Sequence, residues 1–388
     1  MTNNAACAYS LNQLSFYFLK LGTTGFGGPV ALVEYMHRDL VEDKKWINEE
    51  EFKEGLALSQ LAPGPLAAQL GIYLGYIHYS VRGATMAGLA FILPSFVMVV
   101  LLGMAYKMYG GLAWMQAVFY GVSAAVVGII ILSLYKLTIK SVSKFSVVGF
   151  RNNMVLWIFY ITAAAITFVT KTENIFVFLL AGVLYMFIKA PPQWVRRAQV
   201  SGVFLGLGFW EFEPNTLWKI ALFFSKAGAF VFGSGLAIVP FLHAGVVVEN
   251  NWLTEQQFVD AVAVAMITPG PVVISVGFIG YLVAGFPGAL VAAVATFLPC
   301  YLITILAAPY FKQIAKNKSV KAFLVGITAA VIGALAGAVG LIAIRTITDI
   351  PALIICLCTI LTLLFLVKIK EPALIIVAAV VGFLIKQL

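Results

Sequence analysis

Charged side chains are scarce in this sequence of 388 residues, because only 11% of them are Asp, Glu, Lys or Arg. A soluble domain carries roughly a quarter charged residues. Hydrophobic residues make up 62% of the chain, and its mean hydropathy is +1.00. A water-soluble core cannot bury that much apolar surface, so the composition predicts an all-α integral membrane protein with the lipid bilayer as its partner.

Histidine and cysteine are scarcer still, with three and four residues respectively. No Cys/His cluster has the spacing of a metal site. The sequence also lacks H-x-x-x-H and G-x-S-x-G, which argues against a membrane-embedded enzyme acting on lipid. We therefore expect no metal, no cofactor and no enzymatic activity. The net charge of +9 does not indicate nucleic acid, since Lys and Arg in membrane proteins mainly determine topology.

The chain contains one pattern twice, at an offset of 206 residues. K-L-G-T-T-G-F-G-G-P from Lys20 is echoed by K-A-G-A-F-V-F-G-S-G from Lys226, and Pro63-Gly64-Pro65 by Pro269-Gly270-Pro271. After a one-residue gap, Leu93-Pro94 matches Leu298-Pro299. A duplicated membrane unit with helix breakers at matching depth is typical of transporters that build one central site. We expect a first membrane repeat over 1–190, a linker over 191–215 and a second repeat over 216–388.

Ten apolar stretches are long enough to cross a bilayer as helices. They are 11–33, 84–106, 113–135, 154–170, 174–188, 217–242, 288–311, 321–344, 350–367 and 372–387. Two more, 55–79 and 261–284, are interrupted early by A-P-G-P or T-P-G-P. A proline-glycine break at membrane depth is tolerated only where it is buried or lines a cavity. Each broken stretch is therefore either a re-entrant element or a full crossing.

The distribution of basic residues favours re-entrant elements. With ten crossings and the N-terminus outside, 19 of the 25 Lys and Arg residues are cytoplasmic, four are outside, and Lys20 and Lys226 remain in the membrane. Each half then crosses five times, so the two repeats have inverted topology, and both termini lie outside. The linker contains a short apolar run, 200–210, which we expect at the membrane interface.

Lys20 lies about nine residues into its apolar stretch, roughly 13 Å deep, and Lys226 holds the same place in its repeat. A lysine at mid-membrane costs about 2.5–3.5 kcal/mol and normally pairs or faces a polar cavity. No acidic residue lies within helical reach, so the matched lysines indicate an anionic ligand. The alternatives are that each lysine reaches the interface or pairs with another helix.

Helix breaks follow each lysine and recur at the P-G-P triplets. An interrupted helix exposes backbone N–H groups that favour an anion, although small residues also serve helix packing. Hydroxyl and amide groups nearby could donate to an oxyanion or bridge helices. The candidate binding residues are Lys20, Lys226, Gly27, Gly28, Gly233, Ser234, Gln60, Pro63, Gly64, Pro65, Gln69, Thr268, Pro269, Gly270, Pro271 and Ser275.

Two further pairs match across the repeats and could couple transport to protons. His37 matches His243, and Glu54 matches Asp260. The histidines also suit structural positions at the interface. The carboxylates also suit helix N-termini, where a negative charge is favourable. Asn48 is a candidate N-cap, with Glu51 at the third helical position.

At these residues the chain resembles the chromate ion transporter family. The resemblance rests on F-x-K-L-G-x-x-x-F-G-G-P from Phe18, W-I-N-E-E-E-F from Trp46 and L-A-P-G-P-L-A-A-Q-L-G-I-Y-L-G-Y from Leu61, with counterparts from Lys226, Trp252 and Thr268. It implies a multi-pass transporter of the inner (plasma) membrane that exports chromate, with sulfate as a close mimic. A transporter or channel for another anion, with proton-coupled uptake, remains the alternative. Monomer and homodimer both stay open.

Overall fold

The computed structural model describes residues 9–26, 28–109, 112–143, 149, 151, 153–171, 174–191, 215–230, 238–311, 317–365 and 371–387. Every regular element in this part of the chain is helical. The first half contains α1 Leu11–Thr24, α2 Gly28–His37, α3 Glu49–Leu61, α4 Leu66–Tyr109, α5 Ala113–Ser141, α6 Met154–Thr170 and α7 Ile175–Lys189. The second half contains α8 Thr216–Phe230, α9 Ile238–His243, α10 Glu255–Ile267, α11 Ser275–Ala307, α12 Lys318–Thr346, α13 Ile350–Phe365 and α14 Glu371–Gln387.

Local irregularities recur at the offset found in the sequence. A π-helical turn follows α2 at Arg38–Asp43, and another follows α9 at Ala244–Glu249. Helix α4 kinks at Ser80, where φ is 51°, and α11 kinks at Gly285, where φ is 64°. Both α3 and α10 begin with a capping box, in which the N-cap side chain and the third helical residue exchange hydrogen bonds. The cap predicted at Asn48 with Glu51 is confirmed.

The expected single crossing over 11–33 is instead a helical hairpin. The chain reverses direction between α1 and α2. The Tyr17 hydroxyl on α1 donates to the Tyr35 carbonyl on α2 at 3.3 Å. Tyr9, before α1, stacks on Trp46, after α2, with ring centroids 4.8 Å apart. The two outer ends of the hairpin therefore meet. The break after Thr24, which the sequence marks with glycines, turns the chain around rather than bending a spanning helix.

A second hairpin in the first half is formed by α3 and the start of α4. Gly55 packs against the Tyr73 ring, and the outer ends meet where His78 Nε2 lies 3.2 Å from Glu51 Oε1. Pro63-Gly64-Pro65 forms the buried tip between the two helices. After the kink at Ser80 the rest of α4 turns back, so that Gly75 packs against the Gly83 backbone. These contacts fit the re-entrant element expected for stretch 55–79. We call the end of the molecule that holds Tyr9, Trp46 and His78 the Trp46 end.

Within the described residues, four helices are long and apolar enough to cross a membrane: Leu66–Tyr109, Trp114–Ser141, Val272–Tyr310 and Lys318–Thr346. Met154–Thr170, Phe176–Lys189 and Ile350–Phe365 are apolar but shorter. Helix α5 packs against α13 and α14, and α12 packs against α6 and α7, so the helices that end each half lie against the other half. Glycines permit this close approach: Gly121 meets the α14 backbone at Ala378, and Gly333 meets the α6 backbone at Tyr160. The prediction of ten crossings is not confirmed, but a multi-pass helical membrane protein is.

Candidate functional site

The tip of each Pro-Gly-Pro hairpin is buried against the opposite half of the chain. Gly64, with φ of 140°, lies so close to Cys300 on α11 that an added Cβ would be 2.5 Å from the Cys300 Cβ. Gly270, with φ of 96°, lies against the Ser95 hydroxyl on α4. Ser95 and Cys300 each follow a matched Leu-Pro pair, so they are equivalent residues. Each tip therefore packs against the half of the chain to which it does not belong, and the two contacts are equivalent.

The Gly270 tip also contacts the break that follows α1. The Gly270 N–H donates to the Gly25 carbonyl at 2.8 Å, and the Ser95 hydroxyl donates to the Gly22 carbonyl at 3.3 Å. The break after the first lysine-bearing helix and the break in the second half thus meet directly. The structure brings together two of the four helix breaks that the sequence predicts at the site.

Two matched polar atoms beside the tips are buried without a partner. Among the described residues these are Gln69 Oε1 and Ser275 Oγ, which stand 206 positions apart and are 0% and 1% exposed. Glu255 Oε1 also lacks a hydrogen bond, but it pairs with Arg345. The other atom of the Gln69 amide, Nε2, donates to the Pro63 carbonyl at 2.7 Å. Buried polar atoms are normally satisfied, so each of these two atoms is a place where a water or a polar ligand can bind.

The Ser275 hydroxyl and the Gln69 carbonyl offer different chemistry. A serine hydroxyl can donate to an oxyanion oxygen, whereas an amide oxygen can only accept. The Gln69 oxygen would therefore accept from a water or from a protonated oxygen of the ligand. Each group thus offers one polar contact to a ligand or a water.

Both predicted lysines have exposed side chains. Lys20 lies on α1 just ahead of Gly25, and its carbonyl accepts from the Thr24 hydroxyl at 2.8 Å. Lys226 lies on α8 and lines a cavity of about 410 Å³ with Lys219, Glu249 and Asn250 among its walls. The cavity gives Lys226 the polar surroundings that the sequence requires. Glu249, on the π-helical turn after α9, is the acidic neighbour that the sequence of α8 alone does not supply.

The remaining candidate residues are distributed around these features. Gly28 opens α2 with φ of 72°. Pro65, Thr268, Pro269 and Pro271 are buried at the tips, Pro63 is half-buried and Gln60 is exposed. The Thr268 hydroxyl donates to the Val264 carbonyl at 2.6 Å. Gly27, Gly233 and Ser234 lie outside the described residues, as does the short apolar run 200–210 in the linker.

The matched histidines both face the first helical turn of the following helix. His37 is half-buried, with Nε2 at 2.9 Å from Glu49 and Nδ1 at 3.1 Å from Glu42. His243 is 1% exposed, with Nε2 at 2.7 Å from Glu255 Oε2. Arg345, at the end of α12, pairs with the other oxygen of Glu255. These contacts give both histidines a structural partner and place them at the outer ends of the hairpins, away from the tips.

The matched carboxylates, Glu54 and Asp260, do not cap their helices. The N-caps of α3 and α10 are Asn48 and Thr254. Glu54 is half-buried and accepts from the Tyr73 hydroxyl at 3.5 Å. Asp260 is 2% exposed and accepts from the Tyr106 hydroxyl at 2.7 Å and from Gln256 Nε2 at 2.8 Å. Tyr106 belongs to α4, so the Asp260 carboxyl connects the two halves.

Sequence reasoning missed the residues that receive the hairpin tips. Ser95 and Cys300 are small residues in apolar helices, and nothing in their immediate neighbourhood marks them. The repeat offset could have found them, because each directly follows a matched Leu-Pro pair. Tyr106 carries no such signal, since its role depends on α4 reaching Asp260 in the other half.

Broken helices whose buried tips contact the opposite half of a duplicated, apolar chain are typical of membrane transporters built from two related halves. The Chromate transporter family model matches residues 12–186 and 218–383. This chain belongs to the chromate transporter family.

Several relatives cover nearly the whole chain. The chromate transport protein of Cupriavidus metallidurans is 57% identical over 390 residues, covering 98% of this chain and 94% of the relative. A probable chromate transport protein of Synechococcus elongatus is 54% identical over 384 residues, covering 97% and 95%. An uncharacterized transporter of Methanocaldococcus jannaschii is 29% identical over 388 residues, covering 95% and 92%. No solved structure matches the chain.

Proposed function

We propose that this chain exports chromate across the plasma membrane by alternating access around a site formed by Lys20, Lys226 and the helix breaks. The observation that carries the proposal is the matched unsatisfied pair, Gln69 and Ser275, beside two tips that interlock between the halves. A ligand bound there would contact both halves, so that their relative movement would expose it to one side and then the other. The names of the two most similar relatives described above supply chromate as the substrate.

The charge of chromate supports export. A dianion that leaves a negative-inside cell moves downhill by about 2 × 2.3 kcal/mol per 100 mV. Export therefore needs no coupling ion, and no catalytic step is required. Import of the same dianion would need coupling, for which Asp260 and Glu54 are the candidates at the start of the broken stretches.

The contacts at the ends of the molecule support opposite insertion of the two halves. Arg345 pairs with Glu255, and the chain between them contains the broken stretch 261–284 and two long helices. The two long helices together return the chain to the side from which it started. Arg345 and Glu255 can therefore lie on the same side of the membrane only if stretch 261–284 re-enters and does not cross. The first half opens its hairpins at the Trp46 end. The second half opens the hairpin of α10 and the start of α11 at the opposite end, which holds Trp252, Lys107 and Lys386 and which we call the Trp252 end.

The hairpin of α1 and α2 changes two details of the expected topology. Tyr9 stacks on Trp46, so the N-terminal end of α1 lies beside the basic loop 34–54. The positive-inside rule makes that loop cytoplasmic, and we therefore place this end of α1 on the cytoplasmic side rather than outside. Stretch 11–33 then joins the re-entrant elements, which leaves fewer than ten crossings.

Flux measurements in inside-out vesicles test the proposal. Labelled chromate should enter vesicles that contain the protein and should enter faster when the lumen is made electrically positive. Vesicles without the protein are the control. Chromate flux no faster than in the control vesicles would overturn the proposal. Flux of sulfate alone, or flux that requires a pH gradient, would instead favour the alternative of a proton-coupled transporter for another anion.

A further inference from the structure

A second polar cavity lies at the Trp252 end, away from the hairpin tips. Its volume is about 690 Å³, within the range of about 300–1,000 Å³ typical of ligand pockets. It is formed where the end of α4 and the start of α5 meet the start of α10 and the end of α14. The polar side chains of the lining include Lys107, Gln116, Gln256, Gln257, Asp260 and Lys386. The predicted substrate lysines, Lys20 and Lys226, are not part of it.

The charge of this cavity favours an anion. Lys107 and Lys386 are both exposed, and Asp260 is the acidic residue in the lining. The Asp260 carboxyl is covered by the Tyr106 hydroxyl and the Gln256 amide, which both donate to it. These hydrogen bonds satisfy the carboxylate oxygens but leave the charge in place. The lining thus holds two ammonium groups and one carboxylate around a space large enough for a hydrated oxyanion.

Lys386 has two further neighbours, Tyr120 in the cavity lining and the nearby carboxylate of Asp349. Its Nζ lies 4.4 Å from the centroid of the Tyr120 ring, a cation–π distance. The Tyr120 hydroxyl in turn donates to Asp349 at 2.5 Å. The Tyr120 ring holds the Lys386 ammonium at the cavity. The Tyr120 side chain is itself held by the hydrogen bond from its hydroxyl to Asp349. Because the Lys386 side chain is already held in place, it loses less conformational entropy when a ligand binds.

The equivalent surface in the first half has the opposite character. Glu50, Glu51 and Glu54 stand at the positions matched by Gln256, Gln257 and Asp260. The lysine that the first half adds there, Lys53, is paired with Glu49 at 3.1 Å. The Gln256 amide already donates to Asp260 and Ser123. The Gln257 amide can donate to an oxyanion, whereas the carboxylates of the first half would repel it. The second half thus has two amides at the Trp252 end, where the first half has two carboxylates at the Trp46 end.

We propose that the cavity at the Trp252 end is a second binding site for a tetrahedral oxyanion dianion, attracted by Lys107 and Lys386 and separate from the site at the hairpin tips. This inference rests on the proposed function, because it needs an anion that passes through the protein. The site would raise the local anion concentration at one end of the pathway. It would therefore lower the KM for transport from that side and leave the maximal rate largely unchanged.

The test compares labelled chromate exchange in right-side-out and inside-out vesicles. In K107Q/K386Q the KM should rise about tenfold for the orientation that presents the Trp252 end, since two charges no longer attract the dianion. The KM for the other orientation should stay at the wild-type value. The rise should shrink in high salt, which screens exposed charges. K171Q removes an exposed lysine that is not in the cavity lining and should leave both KM values unchanged.

A second variant tests the cavity without removing a lysine. Q256E/Q257E introduces the carboxylates of the first half and should raise the same KM. An unchanged KM in both double variants would overturn the inference, as would an equal change in both vesicle orientations. Wild-type protein that moves no chromate would instead overturn the proposed function. Protein amount and thermal unfolding in detergent identify any variant that fails to fold, and in that case Q256E/Q257E and the single lysine variants decide.

Discussion

Gly270 in the second half packs directly against the hydroxyl of Ser95 in the first half, and the equivalent residues Gly64 and Cys300 repeat the contact with the halves exchanged. Neither glycine has room for a side chain, and both have the positive φ that favours glycine. The two tips are thus fixed by backbone geometry and by the partner helix at the same time. Movement of one half relative to the other must carry these contacts along or break them.

Substitution of Gly270 by alanine should destabilise the protein markedly. The new Cβ would overlap the Ser95 hydroxyl, and the backbone at φ of 96° would be strained. Overpacking of this kind typically costs about 1–3 kcal/mol. Thermal unfolding in detergent measures the effect, and Ser95→Ala in the same chain should recover part of it. Gly340→Ala is the control, because its nearest neighbour would lie at an ordinary 3.6 Å. Equal stability of G270A and G340A would show that the tip does not need a glycine.

Ser275→Ala should reduce transport without a loss of stability. The hydroxyl is buried and unpaired, so its removal leaves no broken hydrogen bond. We expect the chromate transport rate to fall about tenfold, as for the loss of one hydrogen bond to a charged ligand, while the unfolding temperature stays the same or rises. Thr359→Val is the control, since that buried hydroxyl already donates to the Ile355 carbonyl and lies on α13. A wild-type rate in S275A would remove Ser275 from the site.

The sequence predicts local breaks and caps well because their causes are local. Asn48 and Glu51 form a capping box within four residues, and Pro63-Gly64-Pro65 ends one helix wherever the rest of the chain lies. The expected crossing over 11–33 differs from the structure because its length and apolar composition suit either one helix or two. The contacts of Tyr9 with Trp46 and of Tyr17 with Tyr35 distinguish them.

The candidate site shows the same division between local and distant causes. The matched positions of Gln69 and Ser275 are visible in the sequence, but their lack of partners is not, because it depends on what packs around them. The contact of Gly64 with Cys300 joins residues far apart in the chain, and so does the hydrogen bond of Tyr106 with Asp260. No propensity or spacing predicts such pairs without the packing of α4 against α11.

Asp349, between α12 and α13, should make stability depend on pH in the acid range. Hydrogen bonds from the Tyr120 hydroxyl and the Ala352 N–H lower the pKa of its carboxyl below the usual value. A carboxylate with a depressed pKa stabilises the fold above its unfolded pKa, and this contribution is lost as the pH falls through the folded pKa. The unfolding temperature of wild type should thus fall more than that of D349N as the pH drops below about 4.

Asp349 also caps the N-terminus of α13, so its contribution to stability can be measured in a second way. Asp349→Ala removes the acceptor for the Ala352 N–H and should cost about 1 kcal/mol at neutral pH. Asp349→Asn keeps an acceptor there and should cost less. Thermal unfolding at pH 7 compares the two variants. Parallel pH profiles for wild type and D349N would contradict the assignment of the acid-range loss to Asp349.

Replacement of Lys20 or Lys226 by alanine should abolish chromate tolerance in cells while the protein still inserts into the membrane. A lysine at mid-membrane is costly, by about 2.5–3.5 kcal/mol on insertion scales, so its loss should not impair insertion. Lys20 precedes the break after α1, and Lys226 lines a polar cavity, as a group that attracts a dianion must. Growth on chromate measures tolerance, and the protein content of the membrane fraction measures insertion. Lys321→Ala, an exposed lysine near the start of α12, should keep wild-type tolerance. Wild-type tolerance in both K20A and K226A would remove the lysines from the site, whereas loss in only one would show that the two halves contribute unequally to anion binding.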